Sequence, residues 1–201
     1  MNPYKHSEIS VKKHGGRIED YYEIHSFLDS TKEICSDNRH RILHNHWAIR
    51  RIIIPIFGST IINSEGRKIN TKDICEFDHI LPDYRNKFIP TLNDFVEAIS
   101  LPQSTISTFE EIVNHFSNNN LTTDLILSPL YVTGHLKSLI ITCNSWFVCQ
   151  ILPLLGIQNF AYHQKLLSPS EIFKNMRFEV WMQNGAQYPP SQKMLNAQII
   201  S

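Results

Sequence analysis

The sequence predicts a mainly α protein: a helical bundle domain with one small β-hairpin over residues 1–100, followed by a second helical region over 106–201. Three observations carry this. Side chains such as Tyr21, Ile24, Leu28 and Thr31 recur at helical spacing. The periodic stretches are punctuated by Gly15-Gly16, by Pro55 with Gly58, and by Pro82, where a helix ends or bends. One segment breaks the helical pattern: Thr60-Ile61-Ile62 and Arg67-Lys68-Ile69 flank the polar turn Asn63-Ser64-Glu65-Gly66, which reads as a hairpin.

Taken in order, a first helix is expected over 4–13, stopped by the glycine pair, and a second over 18–35. A third runs over 38–57 with Asn38 as its N-cap. A fourth spans 71–83, bent or ended by Pro82, and a short fifth starts after Thr91. Pro102-Gln103-Ser104-Thr105 reads as a linker and sets the domain boundary.

In the second half, Ser168-Pro169-Ser170-Glu171 opens a helix of about four turns that Asn184-Gly185 closes. Trp146, Phe147, Phe160, Phe173, Phe178 and Trp181 are expected in its core, and His115, His135 and His163 in structural or surface roles. The uncharged run 138–157 contains Thr142, Asn144, Ser145, Gln150 and Pro153, so it reads as a buried helix and not as a membrane span. Tyr188-Pro189-Pro190 begins a polar tail expected at the surface.

An apolar content of 42% supplies a core, and 19 basic residues balance 19 acidic ones. That balance excludes a global field for nucleic acid or an anionic membrane, so any anion binding is local. Cys35, Cys75, Cys143 and Cys149 show no CxxC pairing, and the start of the chain lacks a signal-peptide pattern; a reduced, cytoplasmic protein is expected. A Gly-x-Ser-x-Gly elbow and a Gly-rich phosphate loop are both absent from the sequence.

Histidine is the outlier. Six of the 10 histidines (His6, His14, His25, His40, His44 and His46) fall in the first 46 residues, and His79 follows. His25 and Asp29, His40 and His44, and His79 and Asp83 are each four apart, so each pair projects from one face of a helix. Glu76 adds a third member to the last stripe, in the manner of helix bundles that aim carboxylate and imidazole inwards at metal. The expected metal ligands are His25, His40, His44, His79 and Asp83, with Asp29 or Glu76 as bridging ligand or general base. Arg39 and Arg41, bracketing His40, are expected to bind phosphate. This nitrogen and oxygen donor set suits a divalent zinc, manganese or iron ion, in a one-metal or a two-metal site, and thiolates at finger spacing are missing.

The run His6-Ser7, Lys12-Lys13-His14-Gly15-Gly16, Glu19-Asp20-Tyr21, Ile24-His25, Asp29, Lys32, Asp37, Arg39-His40-Arg41 and His44-Asn45 resembles a small uncharacterised domain family of phages and bacteria. The resemblance continues through Phe57-Gly58, Ile62-Asn63-Ser64-Glu65-Gly66, Glu76, His79, Asp83 and Ile89-Pro90-Thr91, covering residues 1–100. It implies a helical domain bearing His and Asp and no established reaction. Two departures stand out: Arg85 occupies a position where the family pattern has glycine, and Pro82 interrupts the helix carrying His79 and Asp83. A looser likeness is to the HD superfamily of metal-dependent phosphohydrolases, although the His-Asp dipeptide appears here only reversed, as Asp78-His79.

Two function classes follow. The first is a metal-binding interaction protein, phage-related through the resemblance, that captures a nucleotide or a host protein, with residues 106–201 as partner surface or homodimer contact. The second is a metal-dependent phosphohydrolase acting on a nucleotide or another phosphate ester. Nucleic-acid binding through Arg39, Arg41, Arg50 and Arg51 is disfavoured by the zero net charge.

Overall fold

The computed structural model describes residues 1–116, 120–158 and 166–183. Over the described residues the chain is mainly α with one two-stranded hairpin. Helix α1 (Pro3–His14) starts where the Asn2 side chain accepts from the Lys5 backbone N–H, and it ends at Gly15, φ 79°. Gly16 follows at φ 78°, and a Cβ there would strike the Asp20 carboxylate and the Asn63 amide. The glycine pair therefore permits a tight reversal that lays α2 (Glu19–Leu28) along α1.

Helix α2 ends earlier than its spacing predicts. Asp29 is its C-cap, and the chain continues as a 3-10 turn, Ser30–Glu33. The expected helix over 38–57 is likewise two pieces. Asp37, not Asn38, caps the first, accepting from the Arg39 N–H; this piece is a 3-10 turn, Asn38–Leu43, kinked at Arg41. The chain breaks at His44, and Asn45 starts afresh by accepting from the Ala48 N–H while donating to the Ile42 carbonyl. Short Asx side chains that bond nearby backbone end helices as readily as they start them, and here they override the apolar periodicity.

Helix α3 (46–57) widens into a π-helical stretch over Ile49–Ile53. The hairpin β1 (Thr60–Ile62) and β2 (Lys68–Asn70) follows, with Ile61 opposite Ile69. Asn63 ties its turn to the helices. Its Oδ1 accepts from the N–H groups of Glu65 and Arg67, and its amide donates to the His14 carbonyl and the Tyr21 hydroxyl. Helix α4 (71–83) is π-helical over Ile74–Ile80, and Pro82 sits in its last turn, Leu81–Asp83.

A capping box of Thr91 and Asp94 opens α5 (Leu92–Glu97). Helix α6 (Gln103–His115) begins directly after Pro102, inside the stretch that reads as a linker. Helix α7 (Leu121–Thr133), a 3-10 turn (Leu136–Ile141), α8 (147–154), α9 (Ser170–Lys174) and a last 3-10 turn (Val180–Met182) complete the described chain. The run 138–157 is thus broken into short pieces, and among the described residues no helix is long and apolar enough to cross a membrane.

The helix expected from Ser168 is much shorter than four turns. Pro169 caps it without a side-chain bond, and Glu171 turns to Lys174 and Asn175 instead of closing a capping box. Asn184, Gly185, Phe160, His163 and the tail from Tyr188 lie outside the described residues. Trp146, Phe147, Phe173 and Trp181 are buried, whereas Phe178 is exposed.

One apolar cluster runs through the described chain, from Tyr21, Ile42 and Ile52 to Ile126, Phe147 and Trp181. Polar ties cross it as well. The Trp47 indole donates to Ser128 Oγ at 2.8 Å, and Ile99 bridges Met176. The Trp181 ring lies against Phe95 and Phe88.

Candidate metal centre

Three segments deliver four side chains to one buried point between α1, α2 and α4. Asp29 arrives as the C-cap of α2, His44 at the break before α3, and His79 and Asp83 from α4. One ligand atom from each lies within 4.8 Å of every other, and all four residues are buried. Together Asp29, His44, His79 and Asp83 could hold a metal ion.

The separations carry more than proximity. Asp29 Oδ1 stands 3.4 Å from His40 Nε2, 3.7 Å from His79 Nε2 and 3.8 Å from His44 Nε2. His44 Nε2 is 3.1 Å from His79 Nε2 and 3.4 Å from Asp83 Oδ2. Bonds of about 2.1 Å to a tetrahedral ion place its ligands about 3.4 Å apart. Asp29 Oδ1 and Asp83 Oδ2 are buried with no hydrogen bond; Lys32 meets the other oxygen of Asp29 at 2.6 Å, the Met1 ammonium meets Asp83 Oδ1 at 2.6 Å and Arg41 Nε stands 3.2 Å from Asp83 Oδ2, so Asp29 Oδ1 is the carboxylate oxygen that has room for a further cation or donor.

Behind the centre a hydrogen-bonded chain settles which nitrogen of His79 faces it. Ser10 Oγ donates to Asp78 Oδ2 at 2.9 Å, so it accepts from His25 Nε2–H, also at 2.9 Å. His25 Nδ1 is then the acceptor for His79 Nδ1–H at 3.0 Å, and the lone pair of His79 sits on Nε2, facing the centre. Asp78 is itself held by Lys13 at 2.7 Å and His14 at 2.9 Å.

The electrostatics suit ligation. Burial lowers the imidazole of His25 to about 3 and that of His44 to about 4, and holds His79 well below its ordinary value, so all three are neutral near pH 7. Burial raises Asp29, but the imidazoles of His40, His79 and His44 around it outweigh that and keep the carboxyl well below the usual range. Asp83 is held low in the same way, its burial outweighed by His44 and His6.

The other residues named from the sequence have other places. His25 supports His79 from behind, and His40 meets Asp29 but is not one of the four mutually close donors. Glu76 pairs with His46 Nδ1 at 2.9 Å and Lys72 at 2.8 Å, because the π-helical stretch widens the turn and takes residues three apart off a common stripe. Arg39 is engaged by Asp37 and by the carbonyls of Phe173 and Met176. Arg41 reaches Asp83 Oδ2 at 3.2 Å.

Ser10, Asp78 and His6 were not singled out by spacing. Ser10 and His6, on α1, meet Asp78 and Asp83, on α4, across 68 to 77 positions of chain, and local periodicity carries no such signal.

A cavity of about 400 Å³ opens on the centre, lined by Lys32, Asn38, His40, Arg41, Asp83 and Arg85. Lys32 pairs with Asp29 at 2.6 Å, while the exposed Arg85 guanidinium makes no ion pair among the described residues. Arg85 and Asn86 hold φ of 53° and 57°, a left-handed backbone that side chains with a Cβ rarely adopt.

No curated protein and no solved structure matches this chain. A family model described as Domain of unknown function (DUF6915) matches residues 1–105, the span that contains every donor of the centre, and the chain belongs to that family.

Proposed function

We propose that this protein is a metal-dependent hydrolase of phosphate esters, with Asp29, His44, His79 and Asp83 as the ligands of a divalent transition-metal ion. The cavity carries the reading: the ligand Asp83 shares its wall with Lys32, Arg41 and Arg85, so an anionic substrate and the ion meet in one place. A divalent ion in such a site supplies Lewis acidity to a phosphoryl oxygen and activates water.

The chain's own residues do the rest. Arg85, which has no carboxylate partner among the described residues, binds phosphoryl oxygens at the mouth, while Arg41 and Lys32 lie deeper beside the carboxylates. The volume of about 400 Å³ suits a nucleotide-sized or smaller ester.

The test is metal analysis by mass spectrometry on untagged protein purified without chelator, followed by turnover of nucleotides and simple phosphate esters. Bound zinc, manganese or iron that is lost in folded His44→Ala, with phosphate release whose KM rises in Arg85→Ala, supports the reading. Metal without turnover of any ester overturns the hydrolase and leaves a metal-binding interaction protein. Absence of metal after incubation with all three ions overturns both.

A further inference from the structure

We propose that the centre holds two divalent ions, with His6 and His40 as ligands beyond the four mutually close donors; this rests on the metal reading above. The observation is a pair of matching orphans. His6 Nδ1 lies 2.9 Å from the Asp78 carbonyl and His40 Nδ1 lies 2.6 Å from the Asp37 carbonyl. A carbonyl only accepts, so in each ring Nδ1 carries the proton and the neutral imidazole has its lone pair on Nε2. Both Nε2 atoms are buried without a hydrogen-bond partner.

Each lone pair faces a carboxylate. His6 Nε2 is 3.3 Å from Asp83 Oδ1, and His40 Nε2 is 3.4 Å from Asp29 Oδ1. Lone pair against carboxylate in a buried site is repulsive, whereas these spacings are those of neighbouring ligands on one ion. Asp83 presents Oδ2 to His44 and Oδ1 to His6, the disposition of a carboxylate shared between two ions, which would take the places of the Met1 ammonium, 2.6 Å from Oδ1, and of Arg41 Nε, 3.2 Å from Oδ2. The ring of His6 also stacks on His79, with centroids 3.8 Å apart, so it is fixed against the centre and not free to turn away.

The donor count decides between one ion and two. A single ion taking four imidazoles and two carboxylates would be six-coordinate and closed to water and substrate. Two ions sharing the six side chains keep open positions, and paired ions about 3.5–4 Å apart are a recurring device for phosphoryl chemistry.

The experiment is manganese(II) titration of the metal-free full-length chain, with bound ion counted by mass spectrometry after desalting and spin coupling read by electron paramagnetic resonance. Wild-type protein is expected to take two ions with an exchange-coupled spectrum. His6→Gln and His40→Gln, each with unchanged circular dichroism, are expected to take one ion and lose the coupling. His46→Ala, whose ring pairs with Glu76, is expected to keep two. Saturation of the wild type at one uncoupled ion would overturn the proposal and leave the four-ligand site standing, with His6 and His40 as imidazolium partners of Asp83 and Asp29. Retention of both ions in the two Gln variants would overturn the ligand assignment, and no bound ion at all would overturn the metal reading itself.

Discussion

At the scale of single residues, the centre separates donors from the groups that aim them. His25 touches no carboxylate of the centre at hydrogen-bond distance; it holds His79 through Nδ1 and is held by Ser10 through Nε2. Removing such a support costs about 10- to 100-fold in metal affinity while the ligands stay in place. His25→Gln is therefore expected to weaken zinc binding by about that factor, read by competition with a chromophoric chelator, whereas His79→Ala abolishes it. Equal affinity in His25→Gln and wild type would remove the supporting role. The four-residue spacings made His44, His79 and Asp83 legible in the sequence, together with Asp29. They also drew in Glu76, which the wider π-helical turn sends to His46, and they missed His6, whose partners Asp78 and Asp83 lie 72 and 77 positions along the chain. Ring orientation set by a distant backbone carbonyl leaves no trace in local periodicity.

At the scale of elements, the centre depends on breaks as much as on helices. The expected helix over 38–57 would have carried His40 and His44 on one face; the chain instead stops at His44 and restarts on the Asn45 cap. Apolar periodicity continues across that break, which is why the sequence reads as one helix, and the competing Asx bonds are local and short. Asn45 is buried, with its carbonyl oxygen and its amide both engaged. Asn45→Ala removes a cap worth about 1–2 kcal/mol and strands the Ile42 carbonyl. The expected outcome is a denaturation midpoint lowered accordingly and weaker metal binding through a displaced His44. A variant as stable as wild type would show that the cap is dispensable. The glycine pair gives a second test. Gly16→Ala must accept φ 78° and a collision with Asp20 and Asn63, so it should destabilise the α1–α2 reversal by more than 1 kcal/mol in urea unfolding (a rough figure). An Ala variant that unfolds at the wild-type midpoint would contradict that geometry.

At the scale of the whole molecule, the buried imidazoles and carboxylates link stability to pH and to metal in one direction. His25 and His44 titrate at about 3 and about 4 in the folded chain, against an ordinary 6.5 once unfolded. The unfolded state therefore binds more protons as pH falls below 6.5, and stability fully present above that value drains away as pH drops through about 4. Asp29 and Asp83, held below their ordinary 3.8, add a further loss at still lower pH, with the same sign. Because one apolar cluster joins the early helices to α7, α8 and Trp181, opening the centre is expected to loosen the shared core and not only the residues that line it. Bound metal adds stability by mass action, about 2.7 kcal/mol when free ion exceeds the dissociation constant by 100-fold, and protons compete for the same nitrogens. Thermal unfolding of the metal-free chain is thus expected to shift to lower temperature between pH 7 and pH 4.5. The zinc-loaded chain should start higher and fall more steeply, until the two curves meet where the imidazoles are protonated. A metal-free melting temperature that stays level across that interval would mean that these imidazoles are not held neutral by burial, and a chelator without effect at pH 7 would mean that the centre holds no ion.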